Sequence, residues 1–454
     1  MTHHMFSHPE TGTVAHRLQR AIGGGVYVPG DEPYDEHRRA LLPNLDPHPA
    51  VVVEAATPAD VQATVRVARS YEMPFAVQAT GHGTRVPADG GILLKTTAMA
   101  SVLVDPGRRI ARVAPGVRWA QVLEAAAPFG LAPLSGSSPS VGVTGYTLGG
   151  GIGWLGRAYG LAADSVVRAD VVLADGDLIA ATPDRHPDLF WALRGGGANF
   201  GVVTSLEFRL YPVDRVYGGI SYFPVERATE TLRRYREWAA IVPDELSSAV
   251  LLTRMPDAPH IPETLRGRRA VAIKAMHSSG DAAAAEHLLR PLRDAAGPAL
   301  LEGYRVVRYA DAAMGGTAAR YLEFFDTLPD AAIDAIVTSA GSEDAPVATI
   351  EIRHWGGAIA RPGADSGPAG HRRSPFSVIV DTPTNDLTTS LSAMGTGGTF
   401  LNFLGDLERT ASAFADDNYR RLREIKTAYD PGNFFRLGHN IPPAAMPSQH
   451  RRAG

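Results

Sequence analysis

Glycine and hydroxyl residues crowd two stretches of this 454-residue chain, LSGSSPSVGVTGYTLGGGIGWLGRAYG from Leu134 to Gly160 and VQATGHGTR from Val77 to Arg85. Each interior glycine costs a helix or strand roughly 0.5–1 kcal/mol against alanine, so neither stretch is expected to form a regular element. Without side chains, successive backbone N–H groups can wrap an anionic ligand such as a pyrophosphate, and Ser137, Ser138, Ser140 and Thr144 add hydroxyl donors. A plain solvent loop would be more polar, whereas this one interleaves Val141, Val143, Leu148, Ile152, Trp154 and Leu155. The run also contains G-x-G-x-x-G at Gly151, Gly153 and Gly156, but TGYTLGG before it and RAYGLAAD after it do not supply the strand and helix of a dinucleotide-binding βαβ unit.

Three further positions could do chemistry. His82 stands between Gly81 and Gly83 at the end of a predicted strand, PFAVQAT, on a tight turn that leaves its ring accessible. Taken alone it could be an ordinary turn residue, and no partners at a recognisable spacing make it a metal ligand. Tyr146, in the middle of the glycine run, either packs or points its phenol into a cavity as a hydrogen-bond donor. In VATIEIRHW, side chains alternate between faces, so Ala348, Ile350 and Ile352 point one way and Thr349, Glu351, Arg353 and Trp355 the other. If the second face covers a reactive centre, Glu351 and Arg353 belong to an active site. Otherwise they form a solvated, salt-bridged face.

The elements that must position these groups fall into two textures. From Val51, a β-rich run leads to Thr57-Pro58-Ala59-Asp60, a helix start with proline in its first turn, and then to the strand before His82. A strand pair, GILLKTTAMASVLVDPGRRIARVAPGV, precedes the helix WAQVLEAAAPFG, closed by Gly130. An Asp175-Gly176 turn joins two further strands. After Pro212, strands of alternating polarity are interspersed with helical stretches at 227–240, 281–296 and 331–339, which suits an antiparallel sheet with helices on one face and a cavity on the other.

Composition removes several function classes. A formal charge of −4 argues against a nucleic-acid footprint and for a small-molecule partner. With no cysteine there are no thiol nucleophiles, disulfides or thiolate metal sites. The lysines Lys95, Lys274 and Lys426 lie outside any P-loop pattern, and Schiff-base chemistry is not expected. The N-terminus lacks an apolar signal core, and no apolar run approaches about 18 residues, so the expectation is a cytoplasmic protein with no membrane partner. His3, His4 and His8 read as part of a loose terminus rather than a metal site, and no metal is expected elsewhere.

SSPSVGVTGYTLGGGIGWLGRAYGLAADSVVRADVVLADG, continued by HPDLFWALRGGGANFGVVTSLEFRLYP, resembles the FAD-binding domain of the vanillyl-alcohol-oxidase or PCMH type. Within that group the chain is similar to the berberine-bridge-enzyme-like oxidases, from about Tyr34 to Pro212 and again in NYRRLREIKTAYDPGNFFRLGHNIPP. The resemblance implies an α+β fold: a FAD-binding domain over residues 1–212 with its core at about 46–212, a substrate domain over 213–404, and a C-terminal segment, 405–454, returning to the first domain. It implies covalent FAD, because the histidine at the position of His82 is bonded in this family through a ring nitrogen to the flavin 8α carbon. Thr80, Gly81, Gly83 and Thr84 would flank that bond, and Ser138, Val141, Gly142, Gly145, Gly149, Gly150 and Gly153 would line the cofactor. Gly201, Val202 and Val203 would touch its adenine end, with Asn402 and Asn440 near the ring system.

The chain also departs from the family. The cysteine that often makes a second flavin bond is Ser138 here, followed by Pro139, Ser140, Val141 and Gly142, so a single attachment is expected. The family's Tyr-x-Asn-Tyr matches Phe400, Leu401, Asn402 and Phe403, which removes the usual phenolic base and leaves Glu351, Tyr146 or His354 to supply one. The resemblance therefore implies a FAD-dependent oxidase that takes hydride from a small alcohol, sugar, phenolic or natural product and passes electrons to oxygen, giving hydrogen peroxide. A dehydrogenase or oxidative cyclase of secondary metabolism would share every motif. A flavin-binding protein that has lost catalysis is the more distant alternative.

Overall fold

A computed structural model describes residues 9–445 and builds them on three β-sheets. His3, His4 and His8 lie outside the described residues.

The first sheet contains β1 (Gly25–Tyr27), β2 (Val51–Glu54), β3 (Phe75–Gln78) and β4 (Ile92–Lys95) in the order β1-β2-β4-β3, with β4 parallel to both β2 and β3. Helix Pro58–Ser70 carries the chain from β2 to β3, which lie parallel on either side of β4. Its start is fixed as the sequence suggests. Asp60 N donates to Thr57 Oγ1 at 3.2 Å, Thr57 N donates back to the Asp60 carboxylate at 3.1 Å, and Pro58 occupies the first turn.

The second sheet is antiparallel: β5 (Val102–Asp105), β6 (Ile110–Val113), β7 (Val166–Val172), β8 (Leu178–Ala181) and β9 (Val202–Arg209), ordered β5-β6-β9-β7-β8. Gly176, at φ +86°, turns β7 into β8.

The third sheet has seven strands, β10 (Arg215–Pro224), β11 (Leu246–Arg254), β12 (Arg269–His277), β13 (Arg305–Arg308), β14 (Tyr321–Phe325), β15 (Thr349–His354) and β16 (Phe376–Val380), in the order β13-β10-β12-β11-β15-β16-β14. Every pair in it is antiparallel. Period-two alternation sorts its side chains cleanly. Val250, Leu252, Val271, Ile273, Ile350, Ile352 and Val378 enter a core with helices Ala228–Ala239, Ala282–Ala296, Asp330–Ala340 and Asn385–Met394. Ala249, Leu251, Ala272 and Met276 face the other way, into the core that holds the glycine run and the second sheet.

The glycine run differs from expectation in one respect. Val143–Leu148 and Gly156–Tyr159 are short helices. Only Gly145 lies inside the first of them, with Gly142 capping its start and Gly149 its end, so the helix carries one internal glycine and tertiary packing outweighs that cost.

The chain closes on its own beginning. After helix Asp416–Tyr429, Phe434 and Phe435 pack on Phe75 of β3, with ring centroids 5.0 and 6.0 Å away. The strand that leads to His82 is thus held in part by residues more than three hundred positions later.

Candidate active site

Glu351 and Arg353 project from β15 on the face away from the helices, as alternation requires, and both are buried. Glu351 has no solvent exposure at all, which excludes the solvated-face alternative. Its Oε1 accepts from Arg353 Nε at 2.8 Å and lies 2.6 Å from Arg353 Nη2, while its Oε2 accepts from Thr317 Oγ1 at 2.6 Å. The Arg353 guanidinium sits 5.0 Å from the ring centroid of Trp154, a residue of the glycine run, so the third sheet and that run meet here.

A second cation joins them. In the sheet register Lys274 on β12 pairs with Ala249 on β11, which pairs with Arg353 on β15, so lysine and arginine flank an alanine on one face. Lys274 Nζ donates to Gly315 O at 3.2 Å, and Gly315 N donates to Ser137 O at 3.1 Å. The segment Gly315–Thr317 thereby ties the sheet face to the glycine run. Burial alone would push the Glu351 carboxyl up, but the charges of Arg353 and Lys274 and the hydrogen bonds from Thr317 and Arg353 hold it below the usual carboxylate range. It is a carboxylate at neutral pH.

The other candidate bases are placed differently. The ring of Tyr146 is wedged between glycines: a Cβ on Gly151 would lie 2.4 Å from its Cε1, and one on Gly136 2.8 Å from its Cε2. Its hydroxyl is buried without a partner among the described residues, and burial pushes its pKa well above the ordinary value, so it holds its proton. His354 points to the helix side, its ring 5.8 Å from Phe376 and its Nε2 2.9 Å from Arg157 Nη1. Burial, and then Arg157, push it down to about 3, leaving a neutral ring on the wrong face of the sheet. Of the three, only Glu351 combines an ionised group with the face that meets the glycine run.

Asn402 is spent on the protein itself. Its Oδ1 accepts from Gly151 N at 2.9 Å and its Nδ2 donates to Tyr146 O at 3.0 Å, so the amide clamps the glycine run from outside. Several glycines of that run are likewise explained by close approach of the chain's own atoms. A Cβ would lie 2.6 Å from the Asn402 amide at Gly149, 2.8 Å from the Phe400 ring at Gly150 and 1.8 Å from Ser135 O at Gly153. At Gly201 it would lie 2.5 Å from Val171, and the side chains of Val202 and Val203 are buried in the two neighbouring cores. Any contact these residues make with a ligand is left to their main chain.

Around His82 the surroundings are open. Gly81, at φ +81°, makes the tight turn, and His82 Nδ1 is 2.9 Å from Thr80 Oγ1. Thr80 also touches Gly142, where a Cβ would lie 3.2 Å from its hydroxyl, so the two glycine stretches meet. Thr84 Oγ1 is 3.5 Å from Gln78 Oε1, Ser138 Oγ is 2.9 Å from Ser140 Oγ, and Val141 is half-buried against the core. Among the described residues, and apart from the adjoining backbone, nothing lies within 4 Å of where a Cβ would stand on Gly83 or Gly145. Thr144 Oγ1, Arg85 Nε and Asn440 Oδ1 are buried yet have no partner among the described residues. Uncompensated buried polar groups cost about 1–3 kcal/mol each, so donors and an acceptor left open beside bare glycines fit a large polar ligand with anionic groups, as FAD is. Partial burial, and then Arg118, lower the His82 pKa, so its ring is neutral and carries a free lone pair at neutral pH.

No motif in the sequence gives Lys274 or Thr317 a place in the site. Lys274 carries a readable signal, a lone lysine inside the apolar strand RAVAIKAMH of a chain whose basic residues are nearly all arginine. Thr317 lies in an irregular segment with no periodicity, and nothing local marks it.

Two family models match the chain, an FAD binding domain over residues 49–182 and a berberine and berberine-like segment over 385–442. The (R)-6-hydroxynicotine oxidase of Paenarthrobacter nicotinovorans is 30% identical over 93% of this chain and 97% of its own length. Among solved structures, 6-hydroxy-D-nicotine oxidase from Arthrobacter nicotinovorans superposes with a TM-score of 0.80 at 27% identity, covering 93% of this chain and 98% of that one. A glucooligosaccharide oxidase from Acremonium strictum, described with a 6-S-cysteinyl, 8α-N1-histidyl FAD, has the same fold, with a TM-score of 0.80 at 22% identity over 95% of this chain and all of its own. With both family segments in place and a full-length relative at that identity, the chain belongs to the berberine-bridge-enzyme-like, FAD-linked oxidoreductases.

Proposed function

We propose that this protein is an oxidase whose FAD is bonded to the His82 ring, in which Glu351 accepts the proton of a substrate O–H or N–H and oxygen is the final electron acceptor. The observation that carries the reading is the buried, ionised Glu351 on the one sheet face that meets the glycine run. When bound, the flavin supplies the two-electron acceptor for a hydride from carbon. The chain's own residues do the rest. Thr317 and Arg353 fix the two carboxylate oxygens, Asn402 holds the glycine run in register, and the buried surroundings exclude water from the proton acceptor. The neutral His82 ring has a lone pair to commit to a covalent bond. Ser138, where the bicovalent relatives have cysteine, cannot form a thioether, so one attachment is expected.

Substrate-free photoreduction under nitrogen, followed by air, tests the acceptor. The expected result is prompt reoxidation with one hydrogen peroxide per flavin. Reoxidation that needs an added dye sides with the dehydrogenase reading, and a flavin that does not reduce and reoxidise at all sides with a binding protein.

The Glu351 environment also sets a pH profile. A base works when deprotonated, and Glu351 is held below its ordinary value of 4.5, so kcat/KM is expected to stay flat from neutral pH down to that value and to fall only below it. An acid limb near pH 6–7 would assign the proton to another group.

A further inference from the structure

Three charged groups share the buried face described above, Glu351, Arg353 and Lys274, and they do not balance. Glu351 is fully buried, Arg353 is 5% and Lys274 6% exposed, and the one carboxylate stands against two cations. Among the described residues Arg353 pairs with no carboxylate but Glu351, and Lys274 with none; burial lowers the Lys274 pKa, and the Glu351 charge is what works against that. Arg353 commits Nε and Nη2 to Glu351, and among the described residues its Nη1 makes no hydrogen bond. Lys274 makes one hydrogen bond, to Gly315 O, and lies beyond ion-pair distance of Glu351. Burying an unpaired cation is costly unless something neutralises it.

The register shows where that something would sit. Ala249 separates Lys274 from Arg353 across the sheet, and two strand spacings put the flanking residues about 10 Å apart. Ala249 puts no polar group between the two cations, so a planar group with two oxygens over it would be in reach of both.

We propose that the substrate of this enzyme is anionic, a carboxylate or an equally acidic hydroxyl, held between Lys274 and Arg353 while its reacting O–H or N–H faces Glu351. This rests on the active-site assignment above and adds the substrate class. An amine cation would meet two like charges at this face and is disfavoured. Lys274 and Arg353 act here as specificity determinants.

The test uses the holoprotein at neutral pH and calorimetric titration with acetate, benzoate and phenylacetate, each compared with its amide. At least one acid is expected to bind about tenfold or more tightly than its amide, as close buried charge pairs do. That preference is expected to collapse in Lys274→Met and to persist in Lys274→Arg. The proposal is overturned if no acid outbinds its amide in the native protein, or if the preference survives Lys274→Met intact. The acid–amide comparison stands on the native chain alone, whatever the variants do. A protein with no visible flavin absorbance would instead refute the cofactor reading, which the same samples report before any titration.

Discussion

Glu351→Gln lowers the rate of substrate oxidation by about 10²–10⁴-fold, the usual worth of a positioned proton acceptor, while flavin content and fold remain. Glutamine has nearly the same shape: its amide oxygen still accepts from Arg353, and its NH2 donates to Thr317 Oγ1, whose hydroxyl can turn to accept, so what is lost is the negative charge and the ability to take a proton. The measurement is the anaerobic flavin reduction rate with a substrate found by a peroxide screen, taken per bound flavin. If Glu351 only anchored Arg353, the variant would lose stability and keep its rate per flavin. A rate within a few-fold of the native protein's would therefore remove Glu351 from the chemistry and return attention to the partnerless Tyr146 hydroxyl.

Lys426→Met destabilises the protein by about 3–5 kcal/mol, the cost of breaking a buried pair from one side. Lys426 and Asp430 are fully buried with Nζ and Oδ2 2.6 Å apart. Lys426 Nζ also donates to Asn199 O at 2.6 Å and Phe435 O at 3.0 Å, and Asp430 accepts from the backbone N–H groups of Phe434 and Phe435 at 2.8 and 2.9 Å. Those phenylalanines pack on Phe75 of the strand leading to His82, so the pair anchors the C-terminal return to the cofactor side of the fold. The urea midpoint is the readout. The double change Lys426→Met with Asp430→Asn is expected to recover part of the loss, because it removes the stranded charge. Equal stability for native and Lys426→Met proteins would mean that the return is held by the phenylalanines alone.

The features legible before the structure were those with a local period or a local constraint. VATIEIRHW alternates strictly, and alternation alone put Glu351 and Arg353 on the face opposite Ile350 and Ile352. Thr57 and Pro58 marked a helix start that the capping bonds of Asp60 realise. What stayed hidden depends on contacts between distant positions. Gly149 and Gly150 read as ligand approaches, yet the partners that crowd them are Asn402 and Phe400, some two hundred and fifty residues away. Whether Glu351 and Arg353 were solvated or buried could not be settled by the strand alone, since it turns on Trp154 and Thr317 from other segments. In the sequence Lys274 informs only on the chemistry it excludes, because its meaning comes from the cross-sheet register with Ala249 and Arg353.

A single bond between His82 and FAD is tested most directly by the intact mass of the denatured protein, native and His82→Ala. The native chain is expected to be heavier than its polypeptide by one FAD, and the variant to have the polypeptide mass. A native chain that denatures to bare polypeptide and releases its yellow colour, or a variant that keeps the added mass, would contradict it.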